Sequence, residues 1–134
     1  MRRSLVGLAL LVLVLAMVPQ AAQAGRGGWT LLGERHVTDR ADHDTIAVTA
    51  ARGDFKHLQI RVFKRPVQFH RVVVHFGNGA DQTLELRDVI PAGGQSRVID
   101  LEGGDRVIRS IDFWYDAQSI GRGRGATVRV FGQH

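Results

Sequence analysis

The stretch VQFHRVVVHFGNG, Val67 to Gly79, places its large apolar residues at Val67, Phe69, Val72, Val74 and Phe76, in steps of two, three, two and two. Steps of two are the period of a strand with one buried face. A single step of three inside such a run marks a β-bulge, an extra residue that lets both halves keep facing the core. Gly77-Asn78-Gly79 then ends the strand with residues that accept left-handed backbone.

The same reading extends outward. In SRVIDLEGGDRVIRSIDFWYDA (Ser96–Ala117), Ile108, Ile111, Phe113 and Tyr115 step by three, two and two, so a second bulge is expected near Arg109-Ser110. Asp100, Arg106 and Asp112 then share the opposite face, joined by Arg97 if the chain is already turning there. SRVIDL and DRVIRSIDFWY are expected to form a hairpin through Glu102-Gly103-Gly104, with their opposite charges paired across it. Further strands are expected at Trp29–Val37, TIAVTA, FKHLQIRVF, TLELRDVI and ATVRVFG. In these, Ile46, Val48, Leu58, Ile60, Val62, Leu84, Leu86, Val128 and Val130 point inward. Turn residues every ten positions or so, and no window with helical apolar spacing, predict an all-β fold. The expectation is a single antiparallel β-sandwich of about eight strands, with jelly-roll and immunoglobulin-like topologies both open.

MRR, an uncharged apolar run of 14 residues from Leu5 to Val18, and Ala22-Gln23-Ala24 read as a signal peptide over residues 1–24. The run is shorter than the roughly 20 residues of a spanning helix. The domain is then 25–134, exported to the periplasm or beyond, with no stable membrane insertion after cleavage. Zero cysteines mean that the core alone holds it. Arg2 and Arg3 leave with the peptide, so 16 of the 18 basic side chains remain against 13 acidic ones, a net charge of +3. That balance gives solubility and a weak attraction to polyanions. Nucleic acid is not an expected partner, because aromatic residues are not interleaved with the arginines.

Two basic groups are the leading binding candidates: Arg61 with Lys64 and Arg65 of FKRP, flanked by Arg71, and Arg122 with Arg124 of GRGRG. Brought to one edge, they would hold phosphate or carboxylate groups of an envelope polymer. Trp114, expected to point away from the core, is a candidate sugar-stacking platform. Asp39, Asp42 and Asp44 of the DRADHD turn are the best metal candidates, offering the oxygens that Ca²⁺ prefers but without an EF-hand pattern. No other cofactor is indicated. The six histidines lack metal-site spacing and read as scattered surface residues. Ser96, Ser110 and Ser119 sit in no nucleophile motif.

The order W-x-x-L-G (Trp29–Gly33), D-x-D-x-I (Asp42–Ile46), G-x-F-x-x-L (Gly53–Leu58), V-x-F-G-N-G (Val74–Gly79), S-R-x-I-D-L (Ser96–Leu101) and R-x-I-x-x-I-x-F-x-Y (Arg106–Tyr115) resembles a family of small exported proteobacterial proteins of unknown function. The resemblance implies a secreted β-sandwich and carries no activity with it. The expected role is a non-catalytic binding or interaction module for an anionic envelope polymer or another exported protein. The alternatives are a hydrolase-like enzyme using loop carboxylates such as Asp42 and Asp44, a calcium- or carbohydrate-binding domain, or a subunit pairing through a strand edge.

Overall fold

The computed structural model describes residues 28–134 and contains ten strands. They are β1 (Thr30–Thr38), β2 (His43–Ala47), β3 (Asp54–Phe55), β4 (His57–Phe63), β5 (Val67–Phe76), β6 (Asp81–Leu84), β7 (Val89–Ile90), β8 (Ile99–Asp100), β9 (Arg106–Asp116) and β10 (Gly125–Gln133). Helix is limited, among the described residues, to short 3₁₀ turns and the four-residue α1 (Ala117–Ile120). The expected signal peptide lies outside the described residues.

The strands form two antiparallel sheets, β1-β10-β4-β8 and β2-β9-β5-β6, with β3 added to β9 and β7 to β5. The first strand pairs with the last, β2 with β9, β4 with β8, and β5 with β6. The chain is in effect one long hairpin rolled around a core, its two arms crossing from sheet to sheet. That pairing is the jelly roll and decides against the immunoglobulin-like alternative. The β5–β6 hairpin closes on Gly79 at φ 93°, a conformation open to glycine, with Asn78 Oδ1 accepting the Ala80 N–H at 3.0 Å.

Both expected bulges lie on the β5–β9 ladder. The register shifts between Phe69 and Arg71, leaving His70 extra, and between His75 and Phe76, where Arg109 is extra. Each bulge returns the next apolar residue to the core, so Val67, Phe69, Val72, Val74 and Phe76 are buried, as are Ile108, Ile111, Phe113 and Tyr115. Phe69, Phe113 and Tyr115 form an aromatic line with centroids 6.0 and 5.9 Å apart. Leu58, Ile60, Val62, Val128 and Val130 of the other sheet complete one continuous core. A third shift, between Leu31 and Gly33 of the edge strand β1, was not signalled by apolar spacing.

The expected hairpin of SRVIDL with DRVIRSIDFWY does not form. The two segments belong to different sheets, and Gly103 and Gly104, at φ 88° and 82°, turn the crossover between them. SRVIDL instead runs beside β4 and is mostly irregular; there the Ser96 hydroxyl accepts the Ile60 N–H at 2.9 Å and Ser96 N–H donates to Ile60 O at 2.7 Å. The buried amide of Gln82 braces this region, donating to Asp100 O at 3.1 Å and accepting from Glu102 N at 2.9 Å. Nor do the strand charges pair as expected. Asp100 meets His57 at 2.8 Å, and Asp112 meets His75 at 2.6 Å. Arg106 lies over the Phe76 ring, 3.7 Å from its centroid, and donates to Glu102 O at 2.6 Å.

Candidate anion-binding site

Three chain connections meet at one end of the sandwich: β1 to β2, β4 to β5, and β9 through α1 to β10. Local chemistry fixes them. Asp116 caps α1 by accepting the Gln118 N–H at 2.9 Å. Ser119 Oγ donates to Asp116 O at 2.6 Å and accepts the Gln68 N–H at 3.0 Å, tying α1 to β5. Across the end, Asp39 Oδ2 accepts the Gly123 N–H at 2.7 Å and joins the first connection to the third.

This framework brings part of the two basic groups together, Arg65 with Arg124. Arg65 Nε donates to Ile120 O at 2.9 Å. A Cβ on Gly121 would lie 3.0 Å from Arg65 Nη2 and 3.3 Å from Arg124 Cγ, so both arginines pack against this glycine, which sits at φ 98°. A shallow depression of about 320 Å³ is lined by His36, Thr38, Asp39, Arg40, Gly123, Arg124 and Gly125. Beside it Arg122, Asp39 and Gln118 line another of about 340 Å³. Lys64 is exposed at the neighbouring turn, and its φ of 80° makes it the one non-glycine residue with left-handed backbone among the described residues. Arg40, Lys64, Arg65, Arg122 and Arg124 form no ion pair with any described residue.

Arg61 lies apart from these, on the outer face of the first sheet. Its partner across the ladder is Arg129, and each guanidinium leans over a diagonal aromatic ring. Arg61 is 4.0 Å from the centroid of Phe131, and Arg129 is 4.7 Å from that of Phe63. Arg129 Nε donates to Glu34 Oε2 at 2.7 Å, while Arg61 Nε donates to the neutral Gln59 Oε1 at 3.2 Å. Arg71, its neighbour in the sequence grouping, is on the other sheet.

The outer face of that second sheet holds the remaining candidates. Trp114 stacks on His43 of one neighbouring strand, at 4.5 Å between centroids, and on the Arg71 guanidinium of the other, at 4.0 Å. Asp112 lies at the centre of this face. It accepts from Thr45 Oγ1, lies 3.4 Å from His43 Nε2, and shares His75 with Asp81, each carboxylate 2.6 Å from a ring nitrogen. These bonds hold the His75 pKa above the ordinary imidazole value, the Asp112 bond contributing most. For Asp112, burial works to raise the pKa, but the hydrogen bonds from Thr45 and His75 outweigh it and the net shift is downward. Two histidines that looked scattered thus converge on one carboxylate.

The three nominated metal ligands face different partners. Asp39 holds Gly123 N–H. Asp42 is exposed and lines a depression with His70 and Trp114. Asp44 sits between the sheets, accepting from Arg35 Nε at 3.1 Å and from Tyr115 Oη at 2.8 Å. No group of three His, Cys, Asp or Glu side chains among the described residues is placed to hold a metal ion.

Sequence reasoning missed Arg40, His36 and Arg129. For Arg129 a signal existed, since inward Val128 and Val130 put it outward; its pairing with Arg61 had none. No described helix is long and apolar enough to cross a membrane.

A family described as "Domain of unknown function (DUF2541)" matches residues 8–132. No curated protein matches the chain. A solved structure described as "Structural and functional characterization of Pseudomonas aeruginosa AlgX" is similar at 14% identity and a TM-score of 0.52. The match covers 98% of this chain and 34% of that one, so this chain spans about a third of its neighbour, and the likeness concerns the fold.

Proposed function

The chain belongs to the DUF2541 family, whose description assigns no function, and we propose that it is a non-catalytic binding module for an anionic cell-envelope polymer, acting in the periplasm or outside the cell. The observation that carries this reading is the gathering of Arg40, Lys64, Arg65, Arg122 and Arg124 at one end of the jelly roll without an ion-pair partner. They come from three separate connections, and Asp39, the carboxylate lining both depressions, accepts the Gly123 N–H and is in ion-pair contact with none of them. Unpaired guanidinium forks on anchored loops suit carboxylate or phosphate groups, which they can bind bidentately.

Lys64 supports the same reading. A left-handed backbone costs a residue with a side chain about 1–2 kcal/mol that glycine escapes. The turn nevertheless carries a cation there, at φ 80°. A residue serving only the turn would be glycine.

The test is co-sedimentation of the purified protein with lipopolysaccharide and with peptidoglycan at low and high salt. Retention that disappears at high salt, and is weakened by Arg65→Gln with Arg124→Gln, is expected. Retention unaffected by salt would point instead to the aromatic face around Trp114. Absence of retention at both salts would overturn the reading.

A further inference from the structure

We propose that the basic end is one terminus of a track running along the β4–β10 ribbon, and that the ligand is a linear polyanion engaging two arginine pairs at once, Arg65/Arg124 and Arg61/Arg129. This rests on the polyanion reading above and adds its geometry.

The link between the pairs is His36. In the register of the first sheet, His36, Thr127 and Phe63 form one row of the outer face, next to Val37, which is buried. His36 also lines the depression with Arg40 and Arg124, and its ring covers Gly125, where a Cβ would lie 2.7 Å from Nε2. The depression therefore opens onto the outer face rather than away from it. The next outer row is Glu34, Arg129 and Arg61. Gly125 and Arg129 are four residues apart on β10, which at the rise of an extended strand is about 13 Å.

Arginines directly opposite on antiparallel strands repel one another, and the structure shows how this pair is tolerated. Each guanidinium leans away over a diagonal phenyl ring, and each Nε is held by a neighbour. Among the described residues the terminal nitrogens accept no further role: neither arginine donates from Nη to any acceptor. Among the described residues, one of the two charges is matched by a carboxylate, that of Arg129 by Glu34. Two anchored forks, one uncompensated cation and a second basic pair along the same ribbon fit repeated anionic groups on an extended chain. A single small anion would satisfy one pair and leave the other.

The experiment measures binding of fluorescently labelled oligogalacturonates (carboxylate groups) and of inorganic polyphosphates (phosphate groups), each graded in length, by anisotropy at low salt. Because two linked contacts raise affinity by orders of magnitude once the span is reached, a step of at least ~10-fold is expected when the oligomer exceeds about 13 Å. The Arg61→Gln, Arg129→Gln double variant should lose the step and keep short-oligomer affinity. The Lys versions, which retain charge and stem packing over the rings, should lower it less, and circular dichroism reports whether each variant is folded. The polymer showing the step identifies which anionic group is recognised. Affinity rising smoothly with length, unchanged by the double variant, would overturn the two-pair track while leaving the basic end as a polyanion site. No binding of either polymer at any length would overturn both.

Discussion

Replacing Tyr115 by phenylalanine removes one oxygen atom and tests how the open side of the sandwich is closed. Tyr115 is 1% exposed, and its hydroxyl donates to Asp44 Oδ2 at 2.8 Å while Arg35 donates to Oδ1 at 3.1 Å. Asp44 thus joins β1, β2 and β9. Burial and the Asp44 carboxylate push the phenol pKa well above its ordinary value, so the proton stays on the bond at any working pH. A hydrogen bond to a charged acceptor contributes about 1.5–3 kcal/mol. The lower end applies here, because Asp44 keeps Arg35 and its side chain is 16% exposed, so water can replace the lost donor. The ring stays in place and opens little cavity. The expected loss is about 1.5 kcal/mol, a fall in Tm of roughly 5–7 °C for a domain of this size. Urea unfolding of wild type, Tyr115→Phe, Asp44→Ala and the double variant should give a coupling of about 1 kcal/mol at unchanged m. A Tyr115→Phe loss under about 0.5 kcal/mol, or strict additivity, would refute the clasp.

Three further outcomes are expected. His75, whose pKa is raised in the folded state by Asp112 and Asp81, contributes stability that is fully present below its unfolded pKa of 6.5 and lost as pH rises through the folded value. Asp112, whose pKa is lowered, contributes above its unfolded value of 3.8, and this is lost as pH falls through the folded one. The urea midpoint should therefore fall on going from pH 6 to pH 8.5, and His75→Gln should flatten that limb; a wild-type midpoint that rises there would contradict the assignment. Gly132→Ala should destabilise by about 1–3 kcal/mol through overpacking, since the new Cβ would lie 2.7 Å from Phe55 Cδ1 and 3.1 Å from Leu32 Cδ1; a neutral result in thermal unfolding would show that Phe55 can shift. Lys64→Gly should stabilise by about 1 kcal/mol by releasing left-handed strain while weakening polyanion retention; loss of stability would show that the lysine side chain holds the turn.

How far the chain could be read from its residues follows from the range of the forces involved. Alternation is local: Val67 to Phe76 and Ile108 to Tyr115 declare both their core face and their bulges, because an extra residue must break the period of two for burial to continue. Turn chemistry is equally local, so the Gly77-Asn78-Gly79 hairpin was legible. The Glu102-Gly103-Gly104 turn was legible as a turn but not in its destination, since a glycine pair permits a tight hairpin and a sheet crossover alike. Partner choice was set at long range. Ser96 meets Ile60 N–H across 36 positions of sequence, and the jelly roll needs Gly125–Gln133 to return to Thr30–Thr38.

The candidate site divides in the same way. Arg61, Lys64, Arg65, Arg122 and Arg124 stood out as two basic runs, and Trp114 stood out as an outward aromatic. That Arg65 and Arg124 share Gly121, that Arg61 faces Arg129, and that His43 and His75 meet on Asp112 are products of packing between residues far apart in the chain. Asp44 stood out as a carboxylate in a polar turn; its partners Arg35 and Tyr115, from β1 and β9, are set by the fold. Burial periodicity and backbone preference act over a few residues, so the order of amino acids was enough to say which side chains are buried and where the chain turns. Which charges become neighbours was left to the packed fold, because opposing faces come together only through the cooperative burial of the core.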